Sequence, residues 1–216
     1  MTTVHPLWSD DYWPLLMQLY MQKPAGVKSQ FSHPVVELGI SLHIPPRTIH
    51  ELLLTLDRHE SKSLARLWDT YSANPRRLTR DVKRLRQMTG FGDATAFYDG
   101  VLTGDATERS YRPVDGEGKL TPVMLVIILG LYFELTPNTM VSETPEVLDT
   151  ARLLALKPEE VVGVLCLFQT FDPILRRKAP QPSPTVDEAR RVWQKYNNES
   201  PEKLRATVAE LKEYFE

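Results

Sequence analysis

Residues 12–57, YWPLLMQLYMQKPAGVKSQFSHPVVELGISLHIPPRTIHELLLTLD, lie without a gap over residues 124–169, MLVIILGLYFELTPNTMVSETPEVLDTARLLALKPEEVVGVLCLFQ, at a constant offset of 112. Leu19, Tyr20, Val35, Leu42, Pro46 and Leu53 then meet Leu131, Tyr132, Val147, Leu154, Pro158 and Leu165. Self-similarity at a fixed period is the mark of a structural unit used more than once. The reading is one helical module written twice. Each copy then serves as a comparison for the other: what both keep is scaffold, and what only one has is a candidate for function.

Each copy divides into helices by the same signals. The first helix starts at Ser9 in one copy and at Thr121-Pro122 in the other, a cap followed by proline. PVMLVIILGLYF, residues 122–133, is apolar on every side, the pattern of a centrally buried helix. A second helix follows Ser32 and Thr144. A tight break at Ile44-Pro45-Pro46 and at Leu156-Lys157-Pro158 then starts a third. That helix carries Ile49, Leu52, Leu53 and Leu56, matched by Val161, Val164, Leu165 and Phe168, at helical 3, 4, 7 spacing. Beyond residue 171 the offset widens. Trp68 and Tyr71 meet Trp193 and Tyr196 as an aromatic brace, and the proline-rich insertion 172–187 reads as an exposed strap. The capping-box pattern Thr185 to Glu188 marks the next helix start. Asn74-Pro75 and Ser200-Pro201 launch the fifth helices, with Leu78, Val82 and Leu85 against Leu204, Val208 and Leu211. No segment alternates as a strand does. The expectation is an all-α chain of two tandem repeats with about five helices each. Residues 1–88 form a basic repeat, 89–118 a Gly/Asp-rich connector with a short helix over Ala94–Leu102, and 119–216 an acidic repeat.

Composition excludes more than it assigns. Hydrophobic content of 42% and charged content of 25% are ordinary for a globular chain. The single cysteine, Cys166, rules out an internal disulfide and any multi-cysteine metal site; its apolar neighbours suggest a buried thiol. The amino-terminal MTTVHPLWSDD has no basic-then-apolar leader, and the longest apolar run is well short of the ~20 residues that span a bilayer, so a cytoplasmic location is expected. Net charge is −2 overall, yet residues 23–88 carry 12 Lys/Arg against 6 Asp/Glu, and residues 119–216 carry 12 against 14. That asymmetry places any affinity for a polyanion in the first copy.

The pair of helices around Ile44 resembles a helix-turn-helix over about twenty residues, through Gly39, Leu42, Ile44, Thr48, Ile49 and Leu52. Ala151, Leu154, Leu156, Val161 and Val164 repeat the pattern. The glycine usual in the turn is replaced by His43 in one copy and Ala155 in the other, where the backbone is often left-handed. The resemblance implies a DNA-reading third helix with Arg47 and His50 near its start. In the second copy those places hold Glu159 and Val162, which cannot favour a polyanion. The alternative is that both pairs are simply packed hairpins.

The stronger electrostatic signal is PRRLTRDVKRLRQM, residues 75–88. With Leu78, Val82 and Leu85 inward, Arg76, Arg77, Arg80, Lys83, Arg84 and Arg86 cover the outer surface, and only Asp81 offsets them. The matching helix of the second copy mixes signs, so the scaffold does not require this basic face. It could meet phosphates, dock on the acidic connector or second copy, or simply be solvated. Neither a nucleophile with a positioned base, nor a paired carboxylate, nor a metal set, nor a cofactor cradle is visible. The expectation is a non-enzymatic nucleic-acid-binding or regulatory protein without cofactor. Its first copy would contact DNA, and its second would serve packing, a protein partner or self-association. The alternative is a protein-interaction module that binds no nucleic acid.

Overall fold

The computed structural model describes residues 5–92, 106–178 and 180–216. All regular structure among the described residues is helical, with no strand, and internal packing divides the chain into two units, Met1–Glu108 and Arg109–Glu216. The expected helix over Ala94–Leu102 lies outside the described residues.

Nine of the eleven α-helices among the described residues have a proline in the first turn, which explains why their starts were readable. Proline lacks the N–H that would be orphaned there, and its fixed φ is already helical. In the first unit, Ser9 accepts the Asp11 N–H at 3.3 Å and caps a 3₁₀ turn, Asp10–Tyr12, that leads into α1 (Trp13–Met21). Helices α2 (His33–Leu42), α3 (Pro46–Asp57), α4 (Lys62–Ser72) and α5 (Pro75–Arg86) follow. Helix α1 is the hub, packing on α3, α4 and α5, with Leu16 and Met17 fully buried. Around it lie Val35, Ile44, Ile49, Leu53 and Leu56. Each such side chain contributes roughly 1.5–3 kcal/mol by leaving water.

A short helix α6 (Ala106–Tyr111) lies where the connector was read as loop; the division between the units falls inside it. The sequence ATERSY is too brief to show a periodic apolar face. In the second unit, α7 (Pro122–Glu134) is the hub for α8 (Pro145–Leu153), α9 (Pro158–Phe171), α10 (Pro184–Tyr196) and α11 (Pro201–Lys212). Its run Val123–Leu129 is buried throughout, as a helix apolar on all sides requires. No described helix is long and apolar enough to cross a membrane.

The α2–α3 turn closes as a Schellman motif. His43 is left-handed at φ 54°, and the Ile44 N–H reaches back to the Gly39 carbonyl at 2.9 Å. Between α8 and α9, Ala155 has φ 53° and the Leu156 N–H bonds the Ala151 carbonyl at 2.9 Å. A Cβ on Gly39 would stand 2.7 Å from the Ile44 carbonyl oxygen, so glycine is required at that close approach.

Three sequence expectations need correction. Ser32 and Thr144 occupy cap positions but make no capping bond; the Ser32 hydroxyl donates to Ser29 and the Thr144 hydroxyl to Thr139. Helix α10 is capped by Ser183, which accepts the Val186 N–H at 3.2 Å, with Pro184 first in the helix. Thr185 is therefore inside the helix, and the irregular strap ends at Ser183 rather than at residue 187. Cys166 is exposed, because α9 turns Val161, Val164, Leu165 and Phe168 inward and Cys166 falls on the opposite side.

Candidate nucleic-acid interface

The residues expected to contact a polyanion separate into two groups. Arg47 is exposed on α3, but its guanidinium Nε bonds Glu51 at 3.1 Å one turn later. His50 is half-buried and its Nδ1 donates to the Lys28 carbonyl at 2.8 Å. The Lys28 ammonium in turn donates to the carbonyls of Gln22 (2.7 Å) and Pro24. Burial lowers the Lys28 pKa. His50 and Lys28 thus clamp the segment after α1 onto α3. On α3, His50 is therefore committed to an internal bond, while Arg47 stays exposed beside Glu51.

Helix α5 is different. Asn74 caps it by accepting the Arg77 N–H at 3.3 Å, and Leu78 and Val82 anchor it in the core. Arg76, Arg77, Arg80, Lys83, Arg84 and Arg86 are all exposed. At 3.6 residues per turn, Arg76, Arg77, Arg80, Lys83 and Arg84 share roughly 120° of its outer surface. Asp81 organises two of them. Its carboxylate accepts from Arg80 Nε at 3.1 Å and from the Tyr71 hydroxyl at 3.1 Å, with Arg77 Nε at 3.6 Å. Desolvation opposes ionisation of Asp81, but the bonds from Arg80 and Tyr71 and the two arginine charges hold its carboxyl below the usual range. Burial and the bond to Asp81 raise the Tyr71 hydroxyl correspondingly. Arg77 also lies over the Tyr71 ring, 6.0 Å from its centroid, and Arg86 over Phe91 at 5.8 Å.

Arg76, Lys83 and Arg84 make no ion pair among the described residues. No family model, curated protein or solved structure matches the chain. The interface therefore has to be judged on its own physics. Arg76, Arg80 and Arg84 form one row at four-residue spacing, rising about 6 Å per step. Like charges at that spacing cost roughly 0.2–0.5 kcal/mol per pair. Arg76 and Arg77 stand in the first turn, where the positive end of the helix dipole disfavours cations by roughly 0.3–1 kcal/mol each. Only Lys83, Arg84 and Arg86, in the last turn, are well placed for the helix itself. Within the row, Arg76 therefore works against the stability of its own helix, while Arg80 is offset by Asp81 and Arg84 by its place in the last turn.

Asp81 and Tyr71 were the residues that sequence reading undervalued. They fix Arg80 and Arg77 without neutralising the rest of the face. The i,i+4 spacing of Arg77 and Asp81 was a visible signal, but the ten-residue reach from Tyr71 was not. Among the described residues no group of three His, Cys, Asp or Glu side chains is placed to hold a metal ion.

Proposed function

We propose that this protein is a tandem duplication of one five-helix unit, and that the first unit is a non-enzymatic nucleic-acid-binding surface centred on α5. The duplication is supported by the paired left-handed turns at His43 and Ala155 and by a second pairing outside the backbone. The Tyr20 hydroxyl donates to Asp57 at 2.5 Å and its ring meets Trp68 edge-on at 5.3 Å. The Tyr132 hydroxyl donates to Asp172 at 2.7 Å and its ring meets Trp193 edge-on at 5.7 Å. Arg76, Arg80 and Arg84 of α5 meet Glu202, Ala206 and Glu210 in α11, where the basic Lys203 pairs with Glu199 at 2.7 Å and Arg205 with Glu134 at 3.8 Å.

The observation that supports the binding function is the exposed Arg76–Arg80–Arg84 row, which the second unit does not repeat and whose first member stands at the unfavourable end of its helix. Cations in such a row have a use if they displace counterions from a phosphate backbone, which is the main source of sequence-independent nucleic-acid affinity. Phosphate contacts of this kind orient and hold; they do not read bases. His50, held by the Lys28 carbonyl, and Arg47, on α3 rather than α5, are outside the proposed contact. The second unit serves packing or self-association.

The test is fluorescence anisotropy with a labelled duplex at low salt. Wild-type protein is expected to bind, and Arg76→Glu/Arg80→Glu/Arg84→Glu to bind at least about tenfold more weakly, as the loss of several phosphate contacts requires. Arg47→Ala is expected to bind as wild type. Equal binding by the triple variant and wild type would remove the proposal and leave the face to an acidic protein partner.

A further inference from the structure

The two units differ in the connection between the aspartate that takes the tyrosine hydroxyl and the next helix cap. In the first unit, residues 58–60 lead from Asp57, which accepts from Tyr20, to Ser61, which caps α4 by accepting the Leu64 N–H at 3.2 Å. Arg58 in that short connection pairs with Glu60 at 3.4 Å. In the second unit, the step from Asp172, which accepts from Tyr132, to the Ser183 cap of α10 takes residues 173–182. Their sequence, PILRRKAPQP, contains no acidic residue. The short connection of the first unit shows that the helices can be joined without this strap.

The start of the strap is held in place. Asp172 Oδ1 accepts the Ile174 N–H at 2.8 Å, and the Asp172 carbonyl accepts the Leu175 N–H at 3.2 Å. This turn leaves Leu175 half-buried and Ile174 84% exposed, so the isoleucine gains nothing from the core. Arg176 follows with a left-handed backbone, φ 48°, which is costly for a residue with a Cβ. Arg176, Arg177 and Lys178 are exposed and make no ion pair among the described residues. They stand in the half of the chain where acidic residues outnumber basic ones. A fixed apolar tip beside arginine and lysine is the set with which minor-groove proteins hold the backbone and part a base step. A lipid surface suits it less. Segments held by anionic membranes carry roughly four to eight cations, whereas this strap offers Arg176, Arg177 and Lys178 with one apolar tip.

We propose that the strap is a second nucleic-acid contact, in the minor groove of a duplex, with Arg176, Arg177 and Lys178 on phosphates and Ile174 against a base step. This contact rests on the reading of the protein as nucleic-acid-binding, and it adds to α5 rather than replacing it. The experiment is fluorescence anisotropy of the full chain with a labelled duplex, across a range of salt. Arg176→Glu/Arg177→Glu/Lys178→Glu is expected to bind at least about tenfold more weakly and to flatten the slope of log K against log salt by up to about 2.7. Ile174→Ala is expected to bind about fivefold more weakly with an unchanged slope, because an apolar contact releases no counterions. Wild-type affinity retained by either folded variant, while reversal of Arg76, Arg80 and Arg84 weakens binding, would overturn the strap contact and leave α5 standing. No duplex binding by the wild type would remove both. Cosedimentation of the wild type with phosphatidylserine–phosphatidylcholine vesicles, lost in Ile174→Ala, would also overturn the proposal and assign the strap to a lipid surface. If far-UV circular dichroism shows the charge-reversed strap unfolded, Ile174→Ala decides alone.

Discussion

Replacing Arg76 by Glu separates a structural role for the basic row from a binding role, because the two predict opposite signs. Arg76 is exposed in the first turn of α5, and Arg80 follows it at four-residue spacing. Removing a cation from the positive end of the dipole gains roughly 0.3–1 kcal/mol, and placing a carboxylate there gains a similar amount. The repulsion between Arg76 and Arg80, roughly 0.2–0.5 kcal/mol, becomes an attraction of the same order. The sum runs from about 1 to 3 kcal/mol, and exposure with salt screening places it near the lower end. The assay is urea denaturation followed by tryptophan fluorescence, which weights the first unit because Trp8, Trp13 and Trp68 all lie there. With slopes of about 1–3 kcal/mol per molar urea, the midpoint should rise by roughly 0.3–1 M. DNA affinity should fall in the same variant. A lower midpoint would overturn the binding role, because Arg76 would then be holding the fold together.

Four other outcomes follow from the geometry. Ala155→Gly should stabilise the protein by about 0.5–1 kcal/mol, since a left-handed non-glycine residue costs roughly 1–2 kcal/mol and the added freedom of the unfolded chain returns part of it. His43→Gly should instead destabilise by about 1–3 kcal/mol, because its ring nitrogens contact the Glu108 carboxylate at 3.1 Å and the Gly92 carbonyl at 2.9 Å; denaturation midpoints that moved the same way in both variants would contradict this. Burial, then the bond to Asp172, raises the pKa of Tyr132, and burial pushes Tyr111 up to about 12. The folded state therefore holds these protons above pH 10 when the unfolded chain has lost them, so stability is complete below pH 10 and falls as pH rises beyond it. Tyr132→Phe should flatten that alkaline decline in denaturation midpoints measured from pH 9 upward, and an unchanged slope would contradict the assignment. Cys166 should react with a thiol reagent at one equivalent per chain without denaturant; a reaction needing denaturant would contradict its exposure.

The sequence disclosed the helices because their starts are chemically marked. Proline in the first turn and a hub helix apolar on all sides leave few alternatives, and both features survive in the structure. What failed has specific causes. Cys166 was judged by its apolar neighbours in sequence, whereas helical period places it two residues beyond Val164, away from the buried face. The bond from Tyr132 to Asp172 escaped the fixed offset of 112 because α9 runs to Phe171, a half turn and more beyond the end of α3 at Asp57. His43 was a departure from glycine on paper, but histidine tolerates left-handed backbone better than most residues. Its ring contacts depend on residues 49 and 65 positions away, which no local pattern reveals. The basic face of α5 was legible in full because the helical period alone assigns its sides.

Whether the five exposed cations of α5 from Arg76 to Arg84 meet phosphates is decided by the salt dependence of duplex binding, measured by anisotropy from about 20 to 200 mM monovalent salt. Each phosphate contact contributes a slope of about −0.9 in log K against log salt, so up to five contacts at α5 contribute between about −3 and −4.5. Reversing Arg76, Arg80 and Arg84 should remove about 2.7 of it. Undetectable binding at the lowest salt, or a slope that the triple variant leaves unchanged, would contradict phosphate contact by α5.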